Sequence, residues 1–315
     1  GSIRRGLGGG FVAIGVLVGA YRDVPAPPEE LPMGRAALHL EREGVPVLFG
    51  HEALDGELIG LRARPGGWEP ARSPVVGAHD RFPSRSEPER YARLLAGLGA
   101  TPTFNRPSVI LRCADKQICP DDLTGPQPEV EADPERFEER LRVWGLGFLK
   151  PRYGAFGVGV RRVLPGDPLP AWVEGPQGLL EPALLQRGIS PPRGWAGVAC
   201  RVLVQRDGAG WWAEEPVARV SATDAVVNAA RGASVLSLSE AFPSAVDPVR
   251  SVAVGVAADL ERVHGGVLEL GVDVVLDGAL APWIVEVNAR PRGRLEALVA
   301  KDPRWMDAHI QACLR

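Results

Sequence analysis

The sequence predicts two fold classes joined end to end: an α/β first third, then an α+β remainder with mixed or antiparallel sheets. Three observations carry this reading. Apolar strand-like runs alternate with helical periodicity over the first third. Later strands come in hairpin-like pairs around glycine-marked turns. The 315 residues also exceed one ordinary core of ~100–150 residues and fit two or three packed lobes.

Residues 11–18 form a continuous apolar run and read as a buried strand, 33–43 as a helix closed by Gly44, and 45–49 as a second strand, a βαβ unit. Short strands are expected at 58–61 and 74–76. A helix over 87–98 has Ser86 as its expected N-cap and Pro88 in its first turn. A Pro/Asp-rich joint at 120–134 leads to a helix over 134–144, with Asp133 as N-cap and Gly145 as stop. A strand at 146–150 then enters the loop Pro151-Arg152-Tyr153-Gly154-Ala155-Phe156-Gly157-Val158-Gly159, and a strand leaves it at Val160. Further strands are expected at 179–187, 197–206, 211–221, 267–276 and 283–288. A helix over 248–264, with Asp247 as N-cap, Pro248 at N1 and Gly265 after its end, separates the last two from the rest, and a final helix spans 303–314.

Apolar residues make up 45% and charged residues 24%, the composition of a soluble globular protein. A net charge of −3 supplies no basic footprint for nucleic acid. The longest apolar run, 11–20, is half the ~20 residues a membrane span needs. Gly1-Ser2 reads as a cloning scar, and Arg4-Arg5 lacks the rest of a signal peptide, so cytoplasm is the expected compartment. Cys113, Cys119, Cys200 and Cys313 have no metal or redox spacing and are expected as inert thiols. No phosphate-loop lysine motif, dinucleotide fingerprint, H-E-x-x-H or nucleophile elbow is present. Of the 36 basic residues only Lys116, Lys150 and Lys301 are lysine. Where arginine is the default cation, a lysine suggests a compact point charge for phosphate.

The chemistry concentrates in the hairpin 268–288. Its turn is marked by Asp277-Gly278. If Leu276 pairs with Trp283, Val274 faces Val285 and Asp273 falls opposite Glu286, while Asn288 shares the Glu286 face by the period of two. Two carboxylates and an amide oxygen are hard ligands suited to Mg²⁺. A solvated polar face is the alternative, but Val272, Val274, Val275, Ile284, Val285 and Val287 make both faces apolar, and a buried acid needs a partner. Lys150 enters a loop whose Gly154, Gly157 and Gly159 would let backbone N–H groups approach phosphates.

The order Lys116, Lys150 with its glycine loop, Gln186, Arg201, Arg219, Asp273 and Glu286-Val287-Asn288 resembles the ATP-grasp superfamily of carboxylate–amine ligases. It does so over 110–291 and most like the spore-coat-associated YheC/YheD-type branch. That resemblance implies an N-terminal pre-ATP-grasp α/β lobe over 1–110, a central lobe over 111–190 and a C-terminal lobe over 191–315, the last two clamping ATP. It implies phosphate contacts from Lys116 and Lys150, and adenine held by the 185–189 backbone, including Gln186 and Ile189. Arg219 and Asn228 would line the cleft, and Asp273, Glu286 and Asn288 would hold one or two Mg²⁺. Arg201 and Lys150 are the catalytic candidates. The implied activity joins a small-molecule or peptide carboxylate to an amine through an acyl phosphate, with homodimerisation left open. A noncatalytic nucleotide-binding module and a kinase stopping at phosphoryl transfer are the rivals. Ala199 stands where the family often has an acid, and 117–128 is unusually rich in Pro and Asp. Arg290, Arg292 and Arg294 could capture an anionic substrate or be solvated loop arginines.

Overall fold

The computed structural model describes residues 11–19, 26–154, 157–207, 209–227 and 232–291. The expected helix over 303–314 lies outside them, as does Asn228.

The first sheet contains β1 (Ala13–Leu17), β2 (Val47–Leu54), β3 (Glu57–Arg64), β4 (Gly67–Asp80) and β5 (Thr103–Phe104), with helices α1 (Pro32–Arg42) and α2 (Pro88–Leu98). β1 runs parallel to both β2 and β4, so it is central and its uninterrupted apolar run is buried on both faces. Val16 packs with α1 residues Ala36, Ala37 and Leu40, while its neighbour Leu17 packs with α2 residues Leu94 and Leu98. Alternation along one strand thus feeds two cores. β3 and β4 are far longer than the 58–61 and 74–76 runs because polar residues occupy alternate positions. Arg62 donates to Glu41 at 2.7 Å and Arg64 to Glu69 at 2.7 Å. Gly60 lets β2 approach, since a Cβ there would lie 1.9 Å from the Phe49 carbonyl oxygen. Ser86 does not cap α2: its hydroxyl donates to the Pro83 carbonyl at 3.1 Å, and Glu87 is the N-cap residue.

Helix α3 (Pro107–Ala114) and a 3₁₀ turn (Cys119–Asp122) precede the second sheet. That sheet comprises β6 (Val130–Glu131), β7 (Gly147–Pro151), β8 (Arg161–Val163), β9 (Trp172–Glu174) and β10 (Leu180–Arg187) in the order β6-β10-β7-β8, with β9 also paired to β10. Its helix begins as a 3₁₀ turn (Pro134–Arg136), capped by Asp133 accepting from the Glu135 N–H at 3.0 Å, and continues as α4 (Phe137–Trp144). Gly145 ends it in the left-handed region at φ 71°.

The third sheet is antiparallel: β11 (Gly197–Asp207), β12 (Gly210–Ala213), β13 (Val217–Ser221), β14 (Ser234–Ser237), β15 (Glu269–Leu276) and β16 (Pro282–Asn288), ordered β14-β13-β11-β15-β16 with β12 on β11. The single strand expected over 211–221 is two, separated by Glu214-Glu215-Pro216; Pro216 has no N–H for a ladder. A short helix α5 (Leu238–Ala241) and the long α6 (Val246–His264) follow β14. α6 starts ahead of the expected cap, so Asp247 sits inside its first turn and Ala245 is the N-cap residue. Val249, Val256 and Leu260 of α6 and Val109 and Ile110 of α3 share one core with Val202, Val272 and Val274. The opposite sheet face is left for chemistry.

The first sheet is locked to the hairpin of β15 and β16. Buried Asn105 donates through Nδ2 to the Glu269 and Ala289 carbonyls, both at 2.6 Å. Its Oδ1 accepts from the Leu268 and Glu269 N–H groups at 2.7 and 3.2 Å. His79 Nε2 lies 2.7 Å from Glu269 Oε1, and Arg290 donates to Asp80 at 2.9 Å. Among the described residues no helix is long and apolar enough to cross a membrane.

Candidate active site

Two strand ladders face each other across a cleft. On the third sheet, Arg201 of β11 is in register with Asp273 of β15, and Asp273 with Glu286 of β16. The ladder then slips: Val274 pairs with Ile284, Val275 with Trp283 and Leu276 with Pro282. Val285 is therefore the extra residue of a β-bulge, and the expected pairs Leu276–Trp283 and Val274–Val285 are not formed. The turn is longer than Asp277-Gly278 alone. Asp277 accepts from the Ala279 and Ala281 N–H groups at 2.8 and 2.9 Å, and Leu280 takes a positive φ of 65°.

Asp273 is nearly buried and heavily engaged. It accepts from Arg201 Nε at 2.9 Å and again from Arg201 Nη2, from Arg219 Nη2 at 2.6 Å, and from Asn288 Nδ2 at 3.1 Å. Burial works against the Arg201 charge, but Asp273 and Glu286 outweigh it and raise its pKa. Glu286 is more open, with Lys116 Nζ at 3.6 Å from Oε1.

On the second sheet, Lys150 of β7 reaches Gln186 of β10, donating to Oε1 at 3.0 Å. It also points to the Val285 carbonyl at 3.5 Å, so the bulge of one sheet meets the lysine of the other. Burial, then the neighbouring Lys116, lowers the Lys150 pKa to about 7 despite Glu286. Lys116 donates to the Gly154 carbonyl at the start of the glycine loop. Gly157 and Gly159 both have positive φ, 71° and 72°, and a Cβ on Gly159 would fall 2.1 Å from the Glu174 carbonyl oxygen. Ile189 lies just beyond β10, partly buried. Arg290 is held by Asp80 and Ser84, which makes it part of the lock between sheets. Arg292 and Arg294 lie outside the described residues.

The donor types fit a divalent cation. Among the described residues no three His, Cys, Asp or Glu side chains converge. Two carboxylates and one amide would thus meet a small hard ion that takes its remaining ligands from phosphate and water, as Mg²⁺ does. Asp273 would have to exchange an arginine contact to join it. Charge points the same way: Lys116, Arg201 and Arg219, with Lys150 partly protonated near neutral pH, outnumber the carboxylates of Asp273 and Glu286. Such an excess favours an anionic guest.

A small, partly open pocket lies beside Lys116, Gln186 and Glu286. Its far wall is the segment after Lys116, including Pro120, Leu123 and Gln127, which sequence reading marked as unusual without giving it a role. The one available signal was its proline content.

Residues 179–305 match the family described as YheC/D like ATP-grasp. D-alanyl-alanine synthetase A from Vibrio cholerae O1 biovar eltor superposes with a TM-score of 0.56 at 15% identity, over 89% of each chain. The chain has the ATP-grasp fold. A RimK domain ATP-grasp protein from Sphaerobacter thermophilus gives a TM-score of 0.54 at 19% identity, over 96% of this chain and 100% of that one. The ATP-grasp ligase PsnB, solved with a phosphomimetic variant of its minimal precursor, Mg and ADP, gives 0.59 at 16%, over 96% and 99%. No curated protein matches the chain. Within the ATP-grasp fold, the glycine-loop hairpin of β7 and β8 and the acidic hairpin of β15 and β16 form opposing jaws.

Proposed function

We propose that the chain is an ATP- and Mg²⁺-dependent carboxylate–amine ligase working through an acyl phosphate. The observation that carries this is the cationic excess between the two jaws, Lys116 and Lys150 on one side and Arg201 and Arg219 on the other. The proposal includes a division into a preceding lobe (1–110), a central lobe (111–190) and a C-terminal lobe (191–315), with nucleotide between the last two.

The triphosphate would lie against Lys116, Lys150 and the loop of Gly154, Gly157 and Gly159. The backbone at 185–189, with Gln186 and Ile189, would hold the base, and Asn228 would line the same cleft. Asp273, Glu286 and Asn288 would hold Mg²⁺, which when bound neutralises phosphate charge. A substrate carboxylate oxygen attacks the γ-phosphorus, the bond to the β-phosphate oxygen breaks, and ADP leaves. Arg201 and Arg219, released from Asp273, stabilise charge on the transferred phosphoryl oxygens. An amine then attacks the acyl carbon, the carbon–oxygen bond to phosphate breaks, and an amide and inorganic phosphate result. Closure of the glycine loop would exclude water from the acyl phosphate.

The test is ADP release against a panel of amino acids, peptides and other carboxylates, each paired with amines, with mass spectrometry of products. An amide with stoichiometric phosphate supports the ligase. A stable phosphorylated product would instead identify a kinase, and nucleotide binding without turnover a noncatalytic module. Cytoplasmic residence, where ATP is supplied, belongs to the same proposal, and sedimentation would distinguish monomer from homodimer.

A further inference from the structure

Lys116 and Lys150 come from separate elements: Lys116 follows the last turn of α3, and Lys150 sits near the end of β7. Their ammonium groups repel each other, which is one reason the Lys150 proton is held weakly. Glu286, at 3.6 Å from Lys116 Nζ, offsets part of that repulsion. The residues beside the two lysines supply a further restraint.

Arg152, two positions after Lys150, forks onto Asp115, the residue before Lys116. Its Nε donates to Oδ1 at 2.8 Å and its Nη2 to Oδ2 at 2.5 Å, a bidentate pair. The backbone closes the same link, since the Lys116 N–H donates to the Arg152 carbonyl at 3.2 Å. Arg152 is fixed to the sheet in turn, its own N–H donating to the Pro182 carbonyl of β10 at 2.9 Å. Asp115 is buried and also accepts from the Gln117 N–H at 3.0 Å. Burial works against its charge, but the Arg152 fork and that N–H outweigh it and hold its pKa below the ordinary value. Both carboxylate oxygens are taken by protein donors, so Asp115 acts on a ligand only through Lys116. A second fork on α3 serves as the comparison: Arg112 donates through Nε and Nη2 to Asp122, the latter at 2.9 Å, and ties α3 to the following 3₁₀ turn.

We propose that Asp115 and Arg152 are a positioning pair for phosphate binding: their fork holds Lys116 beside Lys150 before a nucleotide arrives, so the phosphate chain meets two ammonium groups already in place. This rests on the ATP reading above and adds two residues that touch no ligand themselves. The repulsion between the lysines is then borne by folding, and binding does not have to order Lys116.

The experiment compares Asp115→Asn, Arg152→Lys, their combination and the control Arg112→Lys with the parent. Calorimetry gives dissociation constants for Mg·ATP and for magnesium tripolyphosphate, and denaturant unfolding is followed in parallel. Asp115→Asn keeps an oxygen for the Gln117 N–H, and Arg152→Lys keeps the charge without the fork, so both variants are mild. Each should weaken both ligands about 3- to 10-fold, because the ordering of one long side chain moves from folding to binding. The combination should lose no more than the larger single loss, since both changes break one link. Arg112→Lys should cost stability and leave both constants unchanged. In protein labelled with carbon-13 at its three lysines, the two ε-proton signals of Lys116, assigned with Lys116→Arg, should be distinct in the parent and merge in Asp115→Asn. Clamp variants that lose stability but bind as the parent does would make the pair merely structural and overturn the proposal. Merged Lys116 signals in the parent, an equal loss of affinity in Arg112→Lys, or a loss confined to Mg·ATP would overturn it too. If the parent binds both ligands and the variants match it, only the clamp falls; if the parent binds neither, the ATP reading falls with it.

Discussion

Lys150 is held where its charge is costly. Its ammonium is buried, its partners are an amide oxygen and a distant carbonyl, and Lys116 repels it, so its pKa falls to about 7 from the ordinary 10.5. The unfolded chain therefore binds one more proton than the folded chain between about pH 7 and pH 10.5, and this group makes stability rise with pH across that window. Below pH 7 both states are protonated and the full cost of burying the charge persists. Lys150→Met should accordingly stabilise the nucleotide-free protein at pH 6 by on the order of 1–3 kcal/mol, with the gain shrinking toward pH 10, as read by denaturant unfolding. A bound triphosphate would return the proton, so calorimetry at pH 8 in buffers of different ionisation enthalpy should show net proton uptake. Glu286 makes the complementary case. It is more open than Asp273, and its ion pair among the described residues is to Lys116 at 3.6 Å, so Glu286→Gln should leave thermal unfolding within about 0.5 kcal/mol of the parent. Mg²⁺-dependent ADP release should be lost, and retained activity would remove Glu286 from the metal site.

The two jaws differ in how their sequences announce them. The glycine loop was legible because a positive φ has a chemical signature: Gly157 and Gly159 occupy backbone regions that other residues rarely adopt. Gly159→Ala combines that strain with a Cβ placed on the Glu174 carbonyl, and should weaken Mg·ATP binding at least about tenfold, measured by calorimetry, with the rest of the fold intact. The acidic hairpin was legible only in part. Alternation correctly set Asp273 opposite Glu286, but nothing in the local pattern distinguishes the turn of 277–282 that the expected pairing implied from the turn of 277–281 that Asp277 stitches together. The turn holds one residue fewer than the expected pairing left in it, 277–281 instead of 277–282, and the Val285 bulge takes up that residue, so the register is right at one end and shifted at the other. β3 and β4 were underread for a related reason. Their outward positions carry Arg and Glu pairs, and a strand that is apolar on every second residue looks interrupted when glycine and proline also intervene.

Across the whole molecule, contacts distant in sequence decide where the acidic hairpin ends, and these were the least legible. Asn105 was given no role in the sequence, yet it closes four hydrogen bonds at the ends of both strands of the hairpin. Arg290, a candidate for substrate capture in the sequence, is instead committed to Asp80 and Ser84 of the first lobe. Both choices depend on partners between 160 and 210 positions away, as the 163-residue separation of Asn105 from Leu268 and the 210-residue separation of Arg290 from Asp80 show. No local period encodes such a match. The consequence is mechanical: the strand ends that aim Asp273 and Asn288 are held by the first lobe as well as by their own sheet. Asn105→Ala would leave two N–H groups and two carbonyls without this partner in a buried setting. At about 1–3 kcal/mol for a single unsatisfied group, and with partial relaxation, the loss should reach about 3 kcal/mol or more in denaturant unfolding. Amide exchange separates this from a purely local defect. If the lock joins the lobes, protection should fall in β1 and β4 as well as in β15, whereas a loss confined to residues 105–110 would show that the first lobe stands independently of the site.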